Sequence, residues 1–167
     1  MPATKVTFRL IVLAASILAN ADGSIARACA GLSKLERPFL APPSDGPIVS
    51  LFGPRSYPAL GYVRMHTGVD YAAELRDPVR AAAAGRVVIA TKGSGYGKHV
   101  RLRHSNGYET TYAQLSKILV RKGDCVDVGA VIGKVGCAGG GTHLHFEVKQ
   151  SGRYIDPAIV VGVRGGG

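Results

Sequence analysis

The chain of 167 residues is short of acid, of cysteine and of histidine, and it has no long apolar run. Only 11 aspartates and glutamates stand against 21 lysines and arginines, a formal net charge of +10. A surface of that sign favours polyanionic partners. The cations are scattered, however, without the basic helix or aromatic-rich sheet of a nucleic-acid module, so nucleic acid is not among the expected partners. Three cysteines leave at least one thiol unpaired within a monomer. The main apolar run, LIVLAASILA at residues 10–19, falls well under the roughly 20 residues that span a bilayer, so no stable membrane span is expected in the mature form.

That run follows MPATKVTFR, which carries Lys5 and Arg9 and no acid, and precedes the small-x-small pattern Ala19-Asn20-Ala21. Residues 1–21 therefore read as a secretory signal peptide, and the chain as exported to the periplasm, the cell envelope or the exterior. Removing them takes only two basic residues, so the mature chain stays strongly basic. A second candidate cut, after Ala28, would leave Cys29 at the new N-terminus as in a lipoprotein. It lies far from the apolar run, and Arg27 suits it poorly.

Residues 22–46 form an irregular lead-in segment: a possible short helix at AGLSKLER, then PFLAPPSDGP, whose prolines deny it a continuous helix or central strand. Residues 47–158 read as one all-β domain, because short apolar runs alternate with glycine-rich turns. Asn106-Gly107, between HVRLRH and YETTYAQL, is the strongest hairpin signal. AAAAGRVV has helical propensity at its start, but Gly85 and the β-branched run behind it favour a strand. Residues 159–167 end in RGGG and read as a flexible tail. Cys125 and Cys137 look like partners, yet the segment between them reads as strand, turn near Asp127 to Gly129, and longer strand. Folding back there would leave Cys137 on the order of 20 Å from Cys125, at about 3.3 Å per residue, too far for a bridge. No pairing can be derived for Cys29.

Of the five histidines, two sit at alternate positions of GTHLHFEVK, residues 141–149. Strand side chains alternate, so His143, His145 and Glu147 share one face while Leu144, Phe146 and Val148 share the other. The apolar trio is a core face. The imidazoles then either meet solvent or line a site. MHTGVDY supplies two further candidate ligands, His66 and Asp70. Chemically active zinc sites use three protein ligands from His and Asp or Glu and keep a fourth position open. His66, Asp70 and one histidine of the pair make such a set, with the other histidine beside the open position.

With LFGPR, HTGVD, AAAAGRVVIA, GYGKHVRLRHSNGYETTYAQLS, GDCVDVGAVIGKVG and GTHLHFEV in this order, the chain resembles the lysostaphin and LytM-like zinc metallopeptidases, which cut peptide cross-links in bacterial peptidoglycan. The resemblance runs from about Pro47 to Pro157. It implies a single antiparallel β-sheet domain with a groove floored by the sheet. It also implies one zinc ion per chain on His66, Asp70 and His145, a catalytic His143, and zinc-bound water as the nucleophile. His143 would move a proton or donate a hydrogen bond to the tetrahedral intermediate.

Two departures from the family pattern matter. Where the family usually has a second catalytic histidine, in YAHL, this chain has YAQL with Gln114. Glutamine makes hydrogen bonds but carries no proton at neutral pH, and loss of one acid–base group commonly costs a factor of about 10² to 10⁴. The chain also has Cys137 and Thr142 in place of the usual serine or asparagine and proline. A Cys137 thiolate on the metal would close the open position. His99, grouped with Arg101 and Arg103, reads as a surface residue, His104 as a partly buried hairpin residue, and Tyr112 as packing with a wet hydroxyl. The expected function is a zinc metalloendopeptidase acting on peptidoglycan. The rival is a non-catalytic relative that binds peptidoglycan or regulates a separate cell-wall hydrolase, with that hydrolase or an envelope regulator as its partner.

Overall fold

The computed structural model describes residues 40–137 and 141–162. The expected signal peptide (residues 1–21), Cys29 and residues 22–39 of the expected lead-in, and residues 163–167 of the expected tail lie outside the described residues. In chain order the strands are β1 (Ile48–Ser50), β2 (Gly53–Tyr57), β3 (Tyr62–His66), β4 (Val69–Ala72), β5 (Pro78–Arg80) and β6 (Gly85–Gly93). They continue with β7 (Gly97–Arg103), β8 (Tyr108–Ile118), β9 (Cys125–Val126), β10 (Val131–Cys137), β11 (Thr142–Gln150) and β12 (Arg153–Ile155). Ten of them form one antiparallel sheet, and β2 and β3 form a separate two-stranded hairpin. The all-β expectation holds. Among the described residues no helix is long and apolar enough to cross a membrane.

The alternation in β11 places the sheet. Leu144, Phe146 and Val148 are fully buried, and their partners across the ladders are core residues: Leu144 faces Tyr71 on β4, and Phe146 faces Val69 on β4 and Tyr112 on β8. The Phe146 ring lies 5.3 Å from that of Tyr112 and meets Tyr71 edge-on at 6.3 Å, within the range favoured by aromatic pairs. The Tyr112 hydroxyl is dry, contrary to the sequence reading. It accepts from the Ala82 amide at 2.8 Å and lies 2.9 Å from Thr110 Oγ1, because β5 and the segment after it fold over the inner face.

Asn106-Gly107 does close a hairpin. β7 and β8 are joined through a 3-10 turn over Ser105–Gly107, with Gly107 at φ 74° and register Arg103 to Glu109. The turn after Val126 also forms, but β9 and β10 do not fold back on each other. β9 pairs with the start of β6, where the Val87 amide donates to the Asp124 carbonyl and the Gly123 amide donates to the Val87 carbonyl, whereas β10 pairs with β5, β8 and β11. Cys137 is exposed with a free thiol, and Cys125 belongs to a disulfide that does not include it. Leu40 to Gly46, the last part of the expected lead-in, packs against the domain. Leu40 is buried and bridges Val161, and Ala41 donates to Ala82.

Gly68, between His66 and Asp70, allows the corner from β3 into β4 to lie directly on β11. A Cβ there would sit 2.2 Å from the Phe146 carbonyl oxygen and 3.0 Å from Glu147 Cγ. Gly68→Ala is therefore expected to destabilise the domain by about 1–3 kcal/mol, the range for overpacking, as measured by denaturant unfolding. An unchanged midpoint would show that the corner has slack.

Candidate active site

The ladder between β4 and β11 sets Asp70 opposite His145, and β3 delivers His66 at its last residue. Three donor atoms converge: His145 Nδ1 is 2.9 Å from Asp70 Oδ1, His66 Nε2 is 3.1 Å from His145 Nδ1, and His66 Nε2 is 3.2 Å from Asp70 Oδ1. Among the described residues these three form the group that could hold a metal ion. Tetrahedral zinc with bonds of about 2.0–2.1 Å separates neighbouring donors by about 3.3 Å. The triangle is slightly tighter than that, and its chemistry of two imidazoles and a carboxylate is that of a catalytic zinc site, so the residues fit the ion.

Each donor's remaining polar atom is tied elsewhere. His66 Nδ1 lies 2.7 Å from the Leu51 carbonyl and 2.6 Å from Arg55 Nη2, and it cannot serve both. Nη2 has two protons, which go to Asp70 Oδ2 at 2.8 Å and to Ser50 Oγ. The proton between His66 and Leu51 therefore belongs to Nδ1, which leaves the Nε2 lone pair facing the triangle. Arg55 in turn reserves Oδ2 and leaves Oδ1 inward. On the far side of His145, Nε2 is 3.3 Å from Glu147 Oε1.

The electrostatics follow the same plan. Burial lowers the His66 pKa and keeps its imidazole neutral. Burial alone would raise Asp70, but hydrogen bonds from His145 and Arg55 outweigh it and hold the carboxyl well below the ordinary range. For His145 burial acts downward, yet hydrogen bonds to Asp70 and Glu147 prevail and push it up to about 9. Two carboxylates thus converge on one imidazole and favour its protonated form. A divalent cation would answer the same negative charge.

His66, Asp70, His143, His145 and Gln114 all line one cleft of about 760 Å³ above the sheet. Cys137 is not part of the donor cluster. Gln114 owes its aim to a break in β8. The strand pairs with β11 as far as Ala113, opposite His145, and with β10 from Leu115, opposite Val135. Gln114 lies between the two ladders at φ 61°, where a β-bulge turns a side chain out of the alternation. Its amide N–H donates to the Tyr96 carbonyl at 2.9 Å, and its Nε2 donates to the Gly95 carbonyl at 3.1 Å.

Three contributors escaped sequence reasoning. Arg55 came within a quoted motif but without a role, since its reach to Asp70 is a tertiary contact that no spacing encodes. Tyr96, in the β6–β7 turn, lines the cleft and puts its hydroxyl 3.0 Å from Glu147 Oε1. Glu147 was placed on the histidine face, and the same alternation was the available signal for its involvement. His99 corrects an expectation: it is buried, because the 94–96 turn folds Tyr96 over it with ring centroids 5.3 Å apart. His104 is partly buried as expected. Its Nδ1 bonds the Ala84 carbonyl at 2.8 Å and its Nε2 lies 2.7 Å from Thr110 Oγ1, while burial lowers its pKa.

Residues 64–157 match the model of peptidase family M23. The chain belongs to that family. Over 115 residues it is 45% identical to the DD-carboxypeptidase/endopeptidase Mpg of Neisseria meningitidis, a match covering 68% of this chain and 26% of that protein. Over 130 residues it is 38% identical to the peptidoglycan DD-endopeptidase ShyB of Vibrio cholerae, covering 74% and 30%. The chain thus spans about a quarter to a third of the length of these curated relatives. Its fold superposes on a zinc-containing peptidase from Vibrio cholerae with TM-score 0.68 and 37% identity, over 72% of this chain and 39% of that one. The resemblance to lysostaphin and LytM-like peptidases therefore stands.

A non-glycine residue in the left-handed region carries strain of roughly 1–2 kcal/mol, partly offset in glycine by its looser unfolded chain. Gln114→Gly is expected to raise stability by about 0.5–1 kcal/mol in denaturant unfolding. A loss of stability would show that the bond from Nε2 to Gly95 outweighs the strain.

Proposed function

We propose that the chain is an exported zinc metalloendopeptidase that hydrolyses amide bonds in peptidoglycan stem peptides or cross-bridges. One observation carries this reading: His66 Nε2, Asp70 Oδ1 and His145 Nδ1 meet within 3.2 Å of one another on the floor of an open cleft. The family, and relatives named as peptidoglycan endopeptidases, support the substrate class. Export rests on the apolar run and small-x-small pattern of residues 1–21.

His66, Asp70 and His145 would hold the ion, which when bound supplies a Lewis acid that activates water and polarises the scissile carbonyl. His143 projects from β11 on the same face as His145 and stands free of any ligand role. It is the group available to take the proton from the attacking water and return it to the leaving amine. Gln114, neutral and anchored by its bulge, orients water or donates a hydrogen bond to the developing oxyanion through its side-chain amide. Arg55 keeps Asp70 ionised and aimed.

Gln114 also favours a second reading, because a glutamine at this place removes one proton carrier. The chain would then be a peptidoglycan-binding domain that regulates a separate hydrolase. Metal analysis of the purified mature chain, coupled to digestion of purified peptidoglycan, separates the two. Zinc with new peptide ends means an enzyme, whereas zinc without cleavage means the regulator.

Zinc at about one per chain is expected, and His145→Ala should abolish it. Full occupancy in that variant would overturn the ligand set. His143→Ala should keep the metal and lose cleavage, and parallel loss of both would mean that the two histidines exchange roles. Gln114→His should raise turnover by about tenfold or more, equivalent to about 1.4 kcal/mol of barrier. No change would favour the binding protein, and a fall would assign Gln114 a hydrogen bond of its own in the transition state.

A further inference from the structure

Glu147 is a carboxylate with almost no contact with water, at 1% exposure. Burial of a charge is tolerated only with hydrogen bonds and a counter-charge. Two neutral hydroxyls bond it besides His145: Thr67 Oγ1 donates to Oε1, and Tyr96 Oη lies 3.0 Å from Oε1 and 3.2 Å from Oε2, backed by Tyr154 Oη at 3.3 Å. Among the described residues its one ion-pair partner is His145, through Nε2. No arginine or lysine among the described residues shares it. The Thr67 and Tyr96 hydroxyls hold the carboxylate oxygens in place.

His145 is the central donor of the triangle, bonded to Asp70 Oδ1 through Nδ1. A histidine can present Nδ1 to a metal only if its remaining proton is on Nε2, and that tautomer needs an acceptor at Nε2. Residue 147, two positions along the same face of β11, is placed to accept it. The Leu51 carbonyl does the same for His66. His145, flanked by β4 and β8, has a buried side-chain carboxylate instead.

We propose that Glu147 is the positioning residue of the metal centre, fixing His145 in the tautomer and ring orientation that present Nδ1 to the ion. Its second task is to seat Tyr96 as a wall of the cleft, so that one carboxylate aligns both the metal ligand and the β6–β7 turn. The inference rests on the metal-site reading above.

The test is zinc affinity of the full mature chain, measured by competition with a chelator of known affinity for wild type, Glu147→Gln and Tyr96→Phe. Glutamine keeps the shape but offers one acceptor oxygen to three donors. Zinc should bind about 10–100-fold more weakly to Glu147→Gln, the usual penalty for removing such a support. Tyr96→Phe leaves the bond from Glu147 to His145 and should stay within about threefold of wild type. In nitrogen-15 spectra of the zinc-loaded wild type, the His145 Nε2–H should appear protected from exchange, and in Glu147→Gln it should not.

Equal zinc affinity in wild type and Glu147→Gln would overturn the inference alone. Equal weakening in Glu147→Gln and Tyr96→Phe would also overturn it, by reducing the effect to packing. A wild-type chain that binds no zinc would overturn the metal-site reading and this inference with it. Should Glu147→Gln fail to fold, Glu147→Asp carries the same test, since it keeps the charge but withdraws it from His145 by one methylene.

Discussion

The register of β11 between β4 and β8 is the constraint on which the rest of the structure depends. Leu144, Phe146 and Val148 are drawn into the core, each worth about 1.5–3 kcal/mol when fully buried, and a slip of one residue would turn all three out to solvent. Because the core holds that register, His143, His145 and Glu147 have no choice of face, and Asp70 has no choice of partner. Apolar burial on one side of the sheet thereby fixes polar geometry on the other. Gly68 closes the arrangement by letting the corner that follows His66 lie against the Phe146 carbonyl.

Around that frame the polar groups are committed in pairs. Every donor atom aimed into the triangle belongs to a side chain whose other polar atom is spoken for, by the Leu51 carbonyl, by Arg55 or by Glu147. Such commitments reduce the rearrangement required when a ligand arrives. They also divide labour among the charges, since Arg55 favours the ionised form of Asp70 while the two carboxylates favour a cation at their centre.

Most of this was legible because it follows from period-two alternation. The core trio, the shared face of His143, His145 and Glu147, and the Asn106-Gly107 hairpin are local patterns, and local patterns survive folding. The convergence of the three donors needed more than alternation. His66 and Asp70 reach His145 across a large gap in sequence, and the resemblance to known zinc peptidases linked them where spacing could not. Failures occurred where tertiary placement decides. Tyr96 folds back over His99 and buries a residue whose neighbours Arg101 and Arg103 marked it as surface, and the Tyr112 hydroxyl found an amide from a segment 30 residues away. The turn after Val126 was read correctly, but strand pairing was not, because β9 had a better partner in β6 than in the strand that follows it.

The break in β8 has a further bearing. Gln114 sits between two ladders, its side chain outside the alternation that holds the three donor side chains in line. The side chain at this position therefore lies outside both ladders. An amide, an imidazole or another polar group can be exchanged there while the ladders to β10 and β11 keep their hydrogen bonds and the donor triangle keeps its shape. The fold behaves as a fixed platform of three donor atoms with one separate fitting beside it, and in this chain the fitting is a glutamine.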